Sequence, residues 1–287
     1  MTKSLPIPAP PADTIADLVR QLRHRLSTTR VAAVKALGKL GWLSGDTINP
    51  LYQSLSDESD DVREAAAQVI GQLGPNAIPF MIRMLGNKDK YVRRHAVWAL
   101  GKLGPKAVPA IGALCQSLKD ADPRTATGAA QAIGEMGVDG TPAVSELADA
   151  MRGTNVVLCR LAAKSLSQIG LPALPTLLTH LGHHDPFVKN EAAVAIGWIG
   201  PKALEAIPKL VELLNMISPL AGLPPASPED TPSPIDTARA AAATALGRIG
   251  PAAESSLPVL QKYIKDPCPA VNQAVAMAIR LISTNRR

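Results

Sequence analysis

Along most of the chain, small and apolar residues recur at helical spacing in short runs that close on a glycine. "VREAAAQVIGQLG" (62–74) and "VKNEAAVAIGWIG" (188–200) are two of them. The closing glycine returns at Gly41, Gly74, Gly104, Gly137, Gly170, Gly200 and Gly250, with successive gaps of 33, 30, 33, 33, 30 and 50 residues. A near-constant period of this length marks a repeat architecture. After each glycine comes a second run holding two large apolar residues four apart: Leu51/Leu55, Met81/Leu85, Leu114/Leu118, Leu147/Met151, Leu177/Leu181, Leu210/Leu214 and Leu260/Ile264. Spacing of i, i+4 places each pair on one face of a helix.

Each repeat is therefore predicted to be two helices joined by a Gly-Pro corner. The closing glycine suits the left-handed position just past a helix end, where a β-carbon is costly. The proline after it (Pro75, Pro105, Pro201, Pro251) cannot extend the first helix but can start the second. Another glycine (Gly38, Gly71, Gly101, Gly134, Gly197, Gly247) precedes the closing one by three residues, and Ser167 stands there in the fifth repeat. A small residue in that slot predicts close approach of the neighbouring helix.

The ends keep the register. Leu18 and Leu22 lie 33 residues before Leu51 and Leu55, which predicts an unpaired second helix over 14–26. "AVNQAVAMAIRLIS" (270–283) reads as an unpaired first helix. The expected fold is all-α, a right-handed α-α superhelix of about 16 helices, because stacked hairpins bury a continuous core. One solenoid is expected over 13–284, with disordered tails at 1–12 and 285–287 and a Pro-rich loop insertion at 216–236.

The pattern "D..VR..AA.ALG.LGP.A.P.L...L.D", carried by residues 60–85 and 89–120, resembles the HEAT repeat. More narrowly it is similar to the short form shared with phycobilisome (phycobilin) lyase subunits. That resemblance implies a HEAT-like solenoid over almost the whole chain. It implies little about activity, because this repeat type serves unrelated roles.

Composition narrows the function. Aromatics are 3%, and the net charge of +6 permits an acidic partner without amounting to a nucleic-acid signature. Three cysteines without paired spacing predict a reducing compartment. No signal-peptide core and no long apolar run appear, so the protein is expected to be cytoplasmic and off the membrane.

Several chemistries find no complete set of residues. "ALGKLGPKAVP" (99–109) looks like a phosphate loop but lacks GxxxxGK[ST] between strand and helix. The resemblance extends to metal-dependent hydroxylases whose first helices start with His-Glu dyads; at those places this chain has Glu64-Ala65, Arg94-His95 and Asn190-Glu191. "GHHDP" (182–186) sets His183 and His184 beside Asp185, with His180 nearby, as a weak metal candidate against the reading of a solvated loop; Gly182 argues against a continued helix aligning His180 with His184. Cys115 is expected in the core. Cys159 stands where other repeats carry Arg30, Arg63, Arg93, Lys189 and Arg239, a basic slot expected to form a ladder with acids such as Asp57, Asp61 and Asp89. Cys268, beside Pro267, is expected to be exposed. Cys159 and Cys268 are the weak thiol-ligand candidates. No catalytic residue, metal or cofactor is predicted.

Two features remain as binding signals. Comparing repeats slot by slot gives a row of solvent-facing positions late in the first helices: Lys35/Lys39, Gln68/Gln72, Trp98/Lys102, Gln131/Glu135, Lys164/Gln168, Val194/Trp198 and Thr244/Arg248. Trp98 and Trp198 among polar neighbours suit a protein-binding surface, since exposed aromatics anchor contacts. Lys35, Lys39, Lys102 and Arg248 would flank them; packing against neighbouring helix ends is the competing reading. The insertion, "SPLAGLPPASPEDTPSPID" (218–236), carries six prolines and offers Leu220 and Leu223 to a partner or to nothing. "RQLRHRLSTTR" (20–30) is a basic end that suits an acidic protein or a solubilising cap.

The sequence thus favours a non-catalytic protein-interaction scaffold with a protein partner. One alternative is a phycobilin lyase subunit or relative, which would hold a bilin for a phycobiliprotein. Another is a maturation partner that shares a metal or cluster through Cys159 or Cys268.

Overall fold

The computed structural model describes residues 12–40, 45–217 and 231–284. These fold into α-helices and short 3-10 turns, with no strand among the described residues. The first helices of successive hairpins are α2 (Ser27–Leu40), α4 (Asp60–Gln72), α6 (Lys90–Leu103), α8 (Pro123–Gly134), α10 (Val156–Ile169), α12 (Pro186–Ile199) and α14 (Pro234–Ile249). The second helices are α3 (Gly45–Ser54), α5 (Ile78–Leu85), α7 (Ile111–Ser117), α9 (Val144–Met151), α11 (Leu174–Leu181), α13 (Ile207–Leu214) and α15 (Leu257–Lys262). The unpaired end helices are α1 (Ala12–Gln21) and α16 (Pro269–Ser283). Gly41, Leu220, Leu223, the C-terminal tail and nearly all of the N-terminal one lie outside the described residues, as does most of the Pro-rich insertion. The chain forms two compact units, Met1–Ala132 and Ile133–Arg287.

The corners differ from the expected form. The closing glycines take positive φ, from 53° at Gly104 to 83° at Gly170. The proline that follows does not begin the second α-helix; it opens a 3-10 turn, as in Gly74–Ala77, Gly104–Ala110 and Gly250–Ser256. In four repeats the α-helix then starts with a second proline in its first turn (Pro79, Pro175, Pro208, Pro258). There the missing N–H has no intrahelical partner to lose.

Packing follows the i, i+4 pairs, all of which are buried except Ile264, which is 46% exposed. Helix α15 stops at Lys262, so only Leu260 reaches the core and Ile264 falls in the following turn. The earlier glycine slot does allow close approach. A β-carbon on Gly247 would stand 2.8 Å from Ala278 Cα, and one on Gly197 3.1 Å from Ala245 Cα. At Gly101 the nearest atom, Ala132 Cα, would be 3.4 Å away. Gly→Ala in a helix favours folding by about 1 kcal/mol, whereas overpacking against backbone costs about 1–3 kcal/mol. Gly247→Ala, the tightest of these, is therefore expected to lose up to about 2 kcal/mol in a urea melt. Gly101→Ala should be neutral or slightly stabilising.

In four hairpins an arginine in the basic slot (Arg30, Arg63, Arg93, Arg239) closes the open end. Arg93 Nη1 donates to the carbonyls of Asn87 (2.9 Å) and Lys88 (3.0 Å), while Nε and Nη2 donate to Asp120 at 2.6 and 2.8 Å. One guanidinium thus ties the loop before its helix to the loop after its hairpin. Arg30 repeats this with Asp57 (2.7 Å), and Arg239 with Asp266 (2.6 Å). Arg63 lies 4.0 Å from Asp89. Asp61 does not join the ladder; it is exposed in the first turn of α4. The preceding loop supplies carbonyls, and the partner carboxylates follow the second helix.

Candidate interaction surface

The thiols are not placed for exchange with a partner. Cys159 is fully buried in the basic slot, where its Sγ donates to the carbonyl of Gly153 at 3.1 Å. Burial pushes this thiol up, against the thiolate form a metal needs. Cys268 is also buried, contrary to the expected exposure: it is the N-cap residue of α16, and its amide donates to Asp266 Oδ1 at 3.0 Å. Cys115 is half-buried rather than a core residue.

Gly182 ends α11 as expected, leaving His183 and His184 in the loop. His180 is buried, with Nδ1 2.8 Å from the Thr176 carbonyl. Among the described residues no group of three His, Cys, Asp or Glu is arranged to hold a metal ion.

Every slot of the row is exposed except Val194, which is half-buried. In the first unit Trp98 is 50% exposed, and Lys35, Lys39 and Lys102 are exposed on α2 and α6. Lys102 Nζ lies 5.9 Å from the Trp98 ring centre, within cation–π range. Trp98 borders a groove of about 460 Å³ formed with Glu64, Gln68, Arg94 and His95. Arg94 is taken up by Asp122, at 2.8 Å from Nε, so its charge is already matched. His95 is held below the usual histidine range by burial, against the opposing pull of Glu64.

In the second unit α10, α12, α14 and α16 pack side by side in that order. Trp198 on α12 is 49% exposed and Arg248 on α14 is exposed. The close-approach glycines bring these slots together: Arg248 Cδ would lie 3.4 Å from a β-carbon on Gly197, and Leu281 Cδ1 3.3 Å from one on Gly247. Leu281 and Met277, on α16, are 44% and 57% exposed. They occupy the slots of Arg248 and Thr244 one repeat later, and the 33-residue offset already visible between earlier repeats would have found them. Trp198 also borders a groove of about 530 Å³ whose walls include Val138, Leu171 and Pro201. Val138 and Leu171 replace the corner proline in their repeats and are 62% and 46% exposed.

Glu191 on α12 is buried, and burial raises its carboxyl above the usual range. Asn190 Nδ2 donates to it at 3.0 Å, and exposed Arg160 lies 3.7 Å away. It stands in the slot of His95, where other repeats place Ala32, Ala65 and Ala241.

Helical hairpins in register, with arginine ladders inside and a polar row carrying tryptophan outside, define an all-α repeat solenoid. The chain belongs to the HEAT-repeat family: HEAT repeats match residues 48–134, 144–217 and 231–287. The PBS lyase HEAT-like repeat matches residues 29–57. No curated protein matches the chain. Among solved structures, importin beta aligns over 94% of this chain and 40% of its own length, at 15% identity and a TM-score of 0.62, a likeness of fold. Human deoxyhypusine hydroxylase in complex with glycerol aligns over 95% and 96% at 20% identity and a TM-score of 0.38. An engineered protein aligns over 93% and 78% at 20% identity and a TM-score of 0.46. No helix among the described residues is long and apolar enough to cross a membrane.

Proposed function

We propose that this protein is a non-catalytic scaffold that binds another protein through the exposed faces of its first helices, in a reducing, cytoplasmic setting. The observation that carries this reading is the half-exposed tryptophan in each unit, Trp98 and Trp198, in slots filled elsewhere mainly by Lys, Gln and Arg. Large aromatics left in solvent are more useful to a partner than to the fold. Lys102 flanks Trp98, Lys35 and Lys39 lie in the same row on α2 beyond α4, and Arg248 flanks Trp198. The test compares partners captured by the native chain and by Trp98→Ala/Trp198→Ala, with thermal melts alongside. Loss of partners at little change in melting temperature is expected; undiminished capture would refute the surface.

The repeat match at 29–57 also favours a second reading, a phycobilin lyase-type protein acting on a phycobiliprotein. Zinc-induced bilin fluorescence from protein purified out of its source would support it. The carrier reading through Cys159 or Cys268 has less to stand on, because both thiols are buried.

A further inference from the structure

We propose that the face formed by α10, α12, α14 and α16 is a docking site for an acidic amphipathic helix of a partner protein. This rests on the scaffold reading and narrows it to one unit and one chemistry. The argument begins with charge. These four helices carry only two carboxylates, Glu191 and Asp236, and both are buried, at 6% and 0% exposure. Asp236 is bound to Arg239 at 2.8 Å. By contrast Arg160, Lys164, Arg248 and Arg280 are all exposed. Every exposed ionised side chain on these helices is therefore positive. The equivalent helices of the first unit differ, since Asp61 and Glu64 are exposed on α4 beside Lys35 on α2.

Apolar anchors lie among the positive charges. Trp198, Met277 and Leu281 are 49%, 57% and 44% exposed, on α12 and α16, with Arg248 of α14 between them. Basic residues alone would suit any polyanion. Large apolar side chains left in solvent at the same place call for a ligand that also brings apolar surface.

Spacing then selects the form of that ligand. Packed helices lie about 8–10 Å apart, so anchors on neighbouring first helices repeat at about that interval. A helix rises about 10.5 Å over seven residues, so a partner helix laid across the stack meets successive helices at i and i+7. The expected occupant has Leu, Ile or Phe at that interval, with Asp or Glu between them facing Arg248 and flanking residues facing Arg160 and Lys164.

The probe is a fluorescein-labelled helical peptide with Leu at i, i+3 and i+7 and Glu between. Its counterparts carry Lys for every Glu, or Ser for every Leu. Fluorescence anisotropy with the full chain should show binding of the Leu/Glu peptide alone, weakening with salt. Trp198→Ala and Met277→Ser/Leu281→Ser should each weaken binding about tenfold or more, the scale of an anchor residue. Arg248→Glu, a change at an exposed position outside the core, should do the same. Lys106→Ser, which removes an exposed positive charge from the first unit, should leave peptide binding unchanged.

The proposal fails if the Leu/Glu peptide does not bind, or if the Ser peptide, single-stranded RNA or anionic vesicles bind equally well. It also fails if Arg248→Glu and Trp198→Ala are both without effect. Partner capture separates this failure from failure of the scaffold reading. Partners lost with Trp98→Ala but kept by Trp198→Ala/Arg248→Glu overturn the docking site and leave the scaffold. Partners kept by all variants overturn both.

Discussion

Arg239→Ala is expected to destabilise the second unit by about 3–5 kcal/mol, the cost of removing one partner from a buried ionic network. Arg239 is 2% exposed and donates to Asp236 at 2.8 Å, to Asp266 at 2.6 Å and to the Leu214 carbonyl at 3.1 Å. Its guanidinium also sits 5.2 Å from the Tyr263 ring centre. Truncation takes the guanidinium from two carboxylates whose side chains are 0% and 3% exposed, leaving them the weaker Ser233 hydroxyl and Cys268 amide, and a carbonyl loses a donor. Arg239→Lys keeps the charge but not the planar fork, so it should recover only part of the loss. In a repeat array stability is coupled mainly between neighbours. Hydrogen exchange should therefore rise first in α13 to α16, and exchange confined to distant helices would contradict this account of the ladder.

That arginine shows how much the sequence revealed. The basic slot was legible because identical side chains recur at the repeat period, and a ladder with acids follows from charge alone. The partners were legible only in part, because repeat arithmetic aligns like positions and is silent on which loop a long side chain reaches. Asp57 and Asp89 do partner Arg30 and Arg63, at 2.7 and 4.0 Å, whereas Asp61 stays exposed in the first turn of α4, and Asp120 and Asp266 play the same part for Arg93 and Arg239. Glycine slots were readable for the opposite reason. Positive φ and close approach are demands on the residue itself, and few residues satisfy them. The 3-10 turns are not legible because in several repeats two prolines, such as Pro75/Pro79 and Pro251/Pro258, compete to start the second helix, and spacing does not say which succeeds. Cys268 was misplaced outside because its neighbour is a proline; its depth is set by the Asp266 contact across the turn. At the candidate surface, Trp98 and Trp198 stand out as departures from polar slots within full hairpins, whereas Met277 and Leu281 lie in the unpaired end helix and emerge only when the 33-residue offset from Thr244 and Arg248 is carried past the last hairpin.

Asp122→Ala is expected to cost the first unit about 2–4 kcal/mol near neutral pH, combining the loss of a helix cap with a broken, largely buried ion pair. Asp122 is 9% exposed in its side chain and accepts from Arg94 Nε at 2.8 Å. It also accepts from the Thr125 amide and hydroxyl, each at 2.9 Å, which satisfies an otherwise orphaned donor at the start of α8. Its own amide donates to Asp120 at 2.8 Å, so this residue links the Arg93 and Arg94 pairs. Asp122→Asn keeps the shape and a good cap while removing the charge, and should cost about half as much. The pH profile separates charge from packing. The Arg94 guanidinium, followed by the Thr125 donors, holds the Asp122 carboxyl well below the usual carboxylate range. In the unfolded chain the group titrates near its ordinary value of about 3.9. The folded form therefore binds fewer protons, and the charged contacts stabilise it fully above that value and progressively less as pH falls toward the depressed one. Urea midpoints of the native chain should drop on acidification from about pH 5 downward. Asp122→Asn should start lower at neutral pH and fall less across the same interval. Parallel profiles for the two would mean that the carboxylate contributes shape alone.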